Sequence, residues 1–156
     1  MASEDVAALR RFYELVGASL AEMNASSSAR ADIGAAIEGG ELPHTAAMID
    51  ACDPEVEWIP MEGEGKVFHG RRGIVRILQG WYEAMDEWRV QPEEILDAGD
   101  SLLMTLRVEA RGRRSRVPVE QRGHAVFRMR DGMVLRCEEF DDLAAARQSA
   151  GLPSPG

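Results

Sequence analysis

The chain has 156 residues, 45% hydrophobic and 29% charged, which are ordinary proportions for one folded domain and exclude collagen-like, mucin-like and wholly disordered chains. No apolar run is long enough to span a bilayer, and the start, MASEDVAALRRFYEL, has no apolar signal core, so a cytoplasmic protein is expected. The net charge of −9 weighs against non-specific nucleic-acid binding, and with no long apolar run no membrane partner is expected.

The charge is unevenly spread. Residues 107–130 hold eight arginines against Glu109 and Glu120, a local +6, which leaves −15 on the rest. Lys66 is the one lysine. Cys52 and Cys137 lie in no CxxC pair and near no second ligand, so two reduced, buried thiols are expected and no metal or cofactor.

Residues 4–23 read as a helix, with Val6, Leu9, Phe12, Val16 and Leu20 at three- and four-residue steps and Ser3 as N-cap. NASSS at 24–28 breaks it. Weaker helices follow at about 29–38, stopped by Gly39-Gly40, and about 43–51, from Pro43. Glu55 to Ile59 reads as a strand, MEGEGK at 61–66 as a loop, and Val67-Phe68 as a brief strand. The next helix carries Ile74, Ile77, Leu78, Trp81 and Met85 on one stripe. The period then changes to two, giving strands at 88–97, 101–111, 116–130 and 133–140, and a last helix at 141–150. Residues 153–156 read as a frayed tail to a single domain whose core spans about 5–152. Helices followed by an antiparallel meander define an α+β fold.

Pairing the hairpins assigns the sheet faces. A two-residue turn at Asp131-Gly132 sets Met129 opposite Val134, Phe127 opposite Arg136 and Ala125 opposite Glu138. A turn at Arg113-Arg114 sets Val108 opposite Val119 and Leu106 opposite Gln121. The core face then holds Leu102, Met104, Leu106, Val108, Ala110, Val117, Val119, Ala125, Phe127, Met129, Val134 and Phe140. Gln121, Arg136 and Glu138 break it. They read either as a structural ion pair at the sheet end or as the polar groups of a pocket walled by Trp58, Trp81, Phe127 and Phe140. Arg107, Glu109 and His124 fall on the charged outer face; a one-residue slip in 101–111 would turn Arg107 and Glu109 inward. His69 reads as a loop or capping residue, and Asp97 and Asp100 as turn residues flanking Gly99.

The phrases RRFYELV (10–16), DPEVEW (53–58), FHGRRGIVRIL..W (68–81), RGRRSRVPVEQR (111–122), RDGMVLRCEEF (130–140) and SAGL (149–152), in this order, resemble the SnoaL-like branch of the nuclear transport factor 2-like superfamily. The resemblance covers about residues 5–152, with extra sequence at about 24–44. It implies a cone-shaped, curved antiparallel sheet wrapped around N-terminal helices, a deep apolar pocket and a homodimer through the sheet. Relatives include polyketide cyclases, ketosteroid isomerases and limonene-type epoxide hydrolases. The base position of the isomerases falls at Trp58, and their donor tyrosine at Phe12, with Tyr13 one position on and facing elsewhere. The Arg-x-acid of the hydrolases falls at Arg107-Val108-Glu109 and their later acid at Glu138, while their water-holding residues fall at Val56 and Trp58.

Three functions follow as expectations. The first is a pocket for a small hydrophobic molecule, with Glu138 as acid or base and Arg136 polarising a ligand oxygen. The second is a non-catalytic binding or dimeric scaffold protein, favoured by a void well below about 300 Å³. An epoxide hydrolase using Arg107, Glu109 and Glu138 is the third.

Overall fold

The computed structural model describes residues 2–61 and 65–153, so the expectation of a frayed tail falls mostly outside the described residues, as does the middle of the MEGEGK loop. The apolar stripe of the first segment forms α1 (Ala2–Asn24), burying Leu9, Phe12, Tyr13, Leu20 and Met23. Ser3 therefore lies inside the helix and is not its cap. The extra sequence folds into two short helices, α2 (Ser27–Arg30) and α3 (Ile33–Glu38), with Ser26 and Asp32 as N-caps accepting from Ala29 and Ala35. α4 (Pro43–Asp50) has no capping side chain of its own at Leu42. Glu22 of α1 supplies one across the turn. Its carboxylate accepts from the N–H groups of His44 and Thr45 at 3.0 and 2.9 Å. Partial burial opposes the effect, but these bonds hold Glu22 below the usual carboxylate range.

β1 (Cys52–Ile59) and β2 (Phe68–His69) lead into α5 (Gly70–Ala84), whose stripe buries Ile74, Ile77, Leu78 and Tyr82. β3 (Met85–Asp97), β4 (Leu102–Gly112), β5 (Pro118–Arg130) and β6 (Met133–Phe140) follow, then α6 (Leu143–Ser149). The strands form one sheet in the order β2-β1-β6-β5-β4-β3. The meander is antiparallel, but β6 returns beside β1 in parallel. Register shifts in β1, twice in β3 and at the β5–β6 pair bend the sheet around α1 and α5. Among the described residues no helix is long and apolar enough to cross a membrane.

The extra segment anchors to α5 and to the start of β3. Gln79 accepts from the Ile33 N–H and donates to the Arg30 carbonyl, both at 2.9 Å. Arg30 pairs with Asp86 and lies over the Tyr82 ring.

Two hairpin registers differ from expectation, with unlike consequences. In β4–β5, Leu106 faces Gly123 and Val108 faces Gln121, two residues from the predicted pairing. An even shift keeps every side chain on its predicted face. The hairpin nevertheless runs past the helices, so Val117 and Val119 are 56% and 40% exposed and belong to no core.

In β5–β6, Met129 faces Val134 as predicted, but Arg128 then faces Arg136 and Phe127 faces Cys137. The odd residue, Leu135, forms a bulge, and beyond it the faces exchange. Cys137 and Glu139 point inward; Arg136, Glu138 and Phe140 point outward. The cause is burial: Phe127 and Cys137 are fully buried, and a guanidinium in place of the thiol would be costly. The outer face is not wholly solvated either. Leu103 and Val126 pack beneath Ala146 of α6 and its C-cap Ala150, with Phe140 beside them.

Candidate functional site

α1, α5 and the inner face of the sheet enclose an apolar cavity of about 110 Å³. Helical spacing puts Phe12, Tyr13, Val16 and Leu20 of α1 and Ile74, Ile77, Leu78 and Trp81 of α5 on its wall. Alternation along the strands adds Trp58, Trp88, Val90, Leu106 and Val108. Pro60 and Met61, just past β1, and the exposed Gln121 lie toward the rim. No residue of the 24–44 segment lines the space among the described residues, so that segment braces α5 and is not a cover.

All three tryptophans of the chain line this one cavity. Trp58 packs between Phe12 and Phe127 with ring centroids 6.3 and 5.9 Å away. Phe127 also meets Tyr13 edge-on at 5.9 Å, so it supports the lining rings from behind and does not itself touch the void. Trp81 and Trp88 stack at 5.4 Å. Asn24 fixes Trp88 by accepting its backbone N–H at 3.2 Å and donating to its carbonyl at 2.9 Å. The Trp88 indole N–H is satisfied by the carbonyls of Met85 and Trp81 at 3.1 and 3.3 Å.

The Trp58 indole N–H differs. It is buried and has no acceptor among the described residues. Among the described residues Glu139 is the carboxylate on the cavity wall; its Oε1 accepts from the Met61 N–H at 3.3 Å. Trp58 faces Cys137 across the parallel β1–β6 pair, so Glu139, two residues on, is a diagonal neighbour of Trp58 on the same face. Burial first, then the nearby Cys137 and Glu139, pushes the Tyr13 phenol well above its usual value. Tyr13 therefore stays protonated at neutral pH.

Of the predicted pocket residues, Trp58, Trp81 and Gln121 are on the wall, Phe127 stands behind it, and Phe140 lies on the opposite face under α6. The predicted acid–base pair is not brought to the cavity. Arg136 and Glu138 meet each other at 3.5 Å on the outer side, where Arg136 also approaches Glu57 at 3.9 Å and Ser149 donates to Glu138 at 3.3 Å. Arg107 and Glu109 also stay outside, with Arg107 held to Glu109 at 3.1 Å and Glu120 at 2.8 Å. The acid–Arg–acid set of the hydrolase reading is thus dispersed over the outer surface, and none of its members lines the cavity.

His69 occupies the N-cap position of α5, but its side chain makes no cap bond and lies 3.5 Å from Glu57. His124, expected to be exposed, is partly buried on the outer face, 2.9 Å from the Thr105 hydroxyl. Asp97 does serve the Gly99 turn, accepting its N–H at 2.9 Å. Both cysteines are free and buried, and no group of three or more His, Cys, Asp or Glu among the described residues could hold a metal ion.

Sequence reasoning missed Tyr13, Trp88 and Glu139. A helical apolar stripe more than about 100° wide takes two adjacent positions, and that width admits Tyr13 beside Phe12. For Glu139 the signal was Leu135 and Cys137, the more apolar of the two alternating sets in β6.

Solved structures of NTF2-like proteins match this fold of a curved sheet wrapped on helices. An NTF2-like protein from Burkholderia pseudomallei is 17% identical, with 93% of this chain and 95% of that one covered and a TM-score of 0.61. An NTF2-like protein from Burkholderia thailandensis is 27% identical over 79% of this chain and 94% of its own, with a TM-score of 0.56. A protein of ketosteroid isomerase-like fold from Catenulispora acidiphila, in complex with trimethylamine, is 15% identical over 70% and 83%, with a TM-score of 0.56. No curated protein matches the chain. The SnoaL-like domain family matches residues 35–137, well over half of the sequence, and the chain belongs to that family.

Proposed function

We propose that this chain binds one compact, largely apolar small molecule in the aromatic cavity, with the ligand's polar group turned toward Trp58 and Glu139. One observation carries the reading. In a wall made almost wholly of hydrocarbon, the buried Trp58 N–H has no acceptor among the described residues. Such a group costs free energy until something supplies an acceptor; Nε1 is itself covered, so a ligand oxygen would reach it by displacing the wall beside the indole edge. The volume of about 110 Å³ supports a compact ligand, since pockets for larger molecules usually begin near 300 Å³. It therefore favours binding over turnover of a polyketide-sized substrate. If chemistry accompanies binding, Glu139 and not Glu138 is the proton acceptor.

Because all three tryptophans line the cavity, their fluorescence reports its occupancy. Titration with 3,3-dimethylbutan-1-ol, a compact branched alcohol, is expected to give a saturable change that Val108→Trp, which fills the rim, abolishes. A non-saturable response, or one equal in Val108→Trp, overturns the reading.

A further inference from the structure

We infer that the Tyr13 side chain sets the length of the ligand, as a partition that closes the aromatic cavity off from an open groove beside it. The inference rests on the pocket reading above and names the residue that limits its ligand class.

The groove, of about 310 Å³, runs between α1 and the β3–β4 pair. Arg10 and Glu14, both exposed and one helical turn apart, flank its mouth. Pro92, Ile95 and the fully buried Met104 give it an apolar side. Cavity and groove follow one another along the same strands. Val90 faces Val108, Pro92 faces Leu106 and Ile95 faces Met104 across the β3–β4 pair. Val90, Leu106 and Val108 line the cavity, whereas Pro92, Ile95 and Met104 line the groove. Met104, Leu106 and Val108 point the same way by alternation, so one apolar strand face passes from the first space into the second.

α1 follows the same course. Val16 and Leu20 face the cavity and Arg10 faces the groove. Tyr13 stands between them, one turn from Arg10 and one from Val16. Among the described residues it is the one side chain common to both linings. Phe12 and Phe127 hold its ring edge-on, with centroids 5.4 and 5.9 Å away, so the partition is clamped from two sides. The consequence is a size limit. The cavity alone lies well below the about 300 Å³ at which pockets for larger molecules begin, and cavity and groove joined would exceed it. A shorter side chain at position 13 would extend the apolar track to Met104 and admit a long tail.

The test titrates straight-chain primary alcohols, from butan-1-ol to nonan-1-ol, into the whole chain, with tryptophan fluorescence and calorimetry as readouts. In the parent, affinity should rise about fourfold per methylene until the chain fills the cavity, and then stop rising. In Tyr13→Ala the rise should continue past that length. Tyr13→Leu is the milder variant, since cutting a buried aromatic ring to alanine costs stability, and cooperative urea unfolding shows that each variant is folded. Leu20→Ala widens the same cavity two turns away, about 10 Å along α1, without opening it to the groove. It should move the stop no further than the carbons it deletes. A parent series that never stops overturns the inference and leaves the pocket reading standing. So does a stop that stays put in the folded Tyr13 variants, or one that Leu20→Ala moves as far as they do. If no alcohol binds the parent saturably, the pocket reading falls and the inference with it.

Discussion

Replacing Trp58 by Phe sets two known costs against each other. The indole is 6% exposed and its N–H is buried without an acceptor among the described residues. Exchanging indole for phenyl removes about 40 Å³ beside an existing cavity, which at about 24 cal/mol per Å³ destabilises by about 1 kcal/mol. The same change removes an unsatisfied buried donor, worth about 1–3 kcal/mol in the other direction. The ligand-free variant is therefore expected to be as stable as the parent or up to about 2 kcal/mol more stable. Urea unfolding decides it, provided the denaturant slope is the same in both proteins. The alcohol's affinity should fall in the same variant, because the donor that meets its oxygen is gone. A stability gain with a binding loss is the signature of a group kept for a ligand. A Trp58→Phe protein destabilised by more than about 1 kcal/mol would mean that the N–H is satisfied in solution, and the argument would fail.

Other consequences are open to measurement. Burial lowers the His124 pKa below its usual value, so between the two values the unfolded chain binds more protons and stability rises with pH. Unfolding at pH 5 to 8 should therefore show stability falling as pH drops through about 6.5, and His124→Gln should flatten that slope. Burial pushes the Cys52 thiol up to about 12, and burial also pushes Cys137 well up. Neither thiol should react with an aromatic disulfide reagent at pH 8 until denaturant is added; fast reaction in the native state refutes this. A Cβ at Gly73 would stand 3.0 Å from the Phe68 carbonyl carbon, so Gly73→Ala should cost about 1–3 kcal/mol in thermal unfolding, and a neutral effect would show that β2 yields freely. The family resemblance implies a homodimer through the sheet. Sedimentation equilibrium should return twice the chain mass, and a monomer at high concentration refutes it.

The helices and the β4–β5 hairpin were legible because their information is local and redundant. α1 and α5 each repeat an apolar residue over several turns, so a single ambiguous position does not move the buried face. The β4–β5 pairing was misjudged by two residues, yet Leu106 and Val108 stayed inside, because a sheet face depends only on odd or even count. Pairing distance along a strand and the choice of face are separate quantities, and alternation constrains the second far more than the first.

β6 shows where local information runs out. Its two alternating sets are Arg136, Glu138 and Phe140 against Leu135, Cys137 and Glu139, and each contains a carboxylate and an apolar residue. The Asp131-Gly132 turn fixes the register for the first two pairs and selects one set; the bulge at Leu135 then selects the other. What decides between them lies on other strands. Phe127 and Trp58 leave a dry space that accepts the Cys137 thiol and would reject the Arg136 guanidinium. The identity of the carboxylate in the cavity is thus settled by tertiary packing around a single inserted residue. The same bulge that puts Glu139 beside the tryptophans carries Arg136 away from it. The carboxylate and the absence of a basic residue in the described lining therefore share one structural cause.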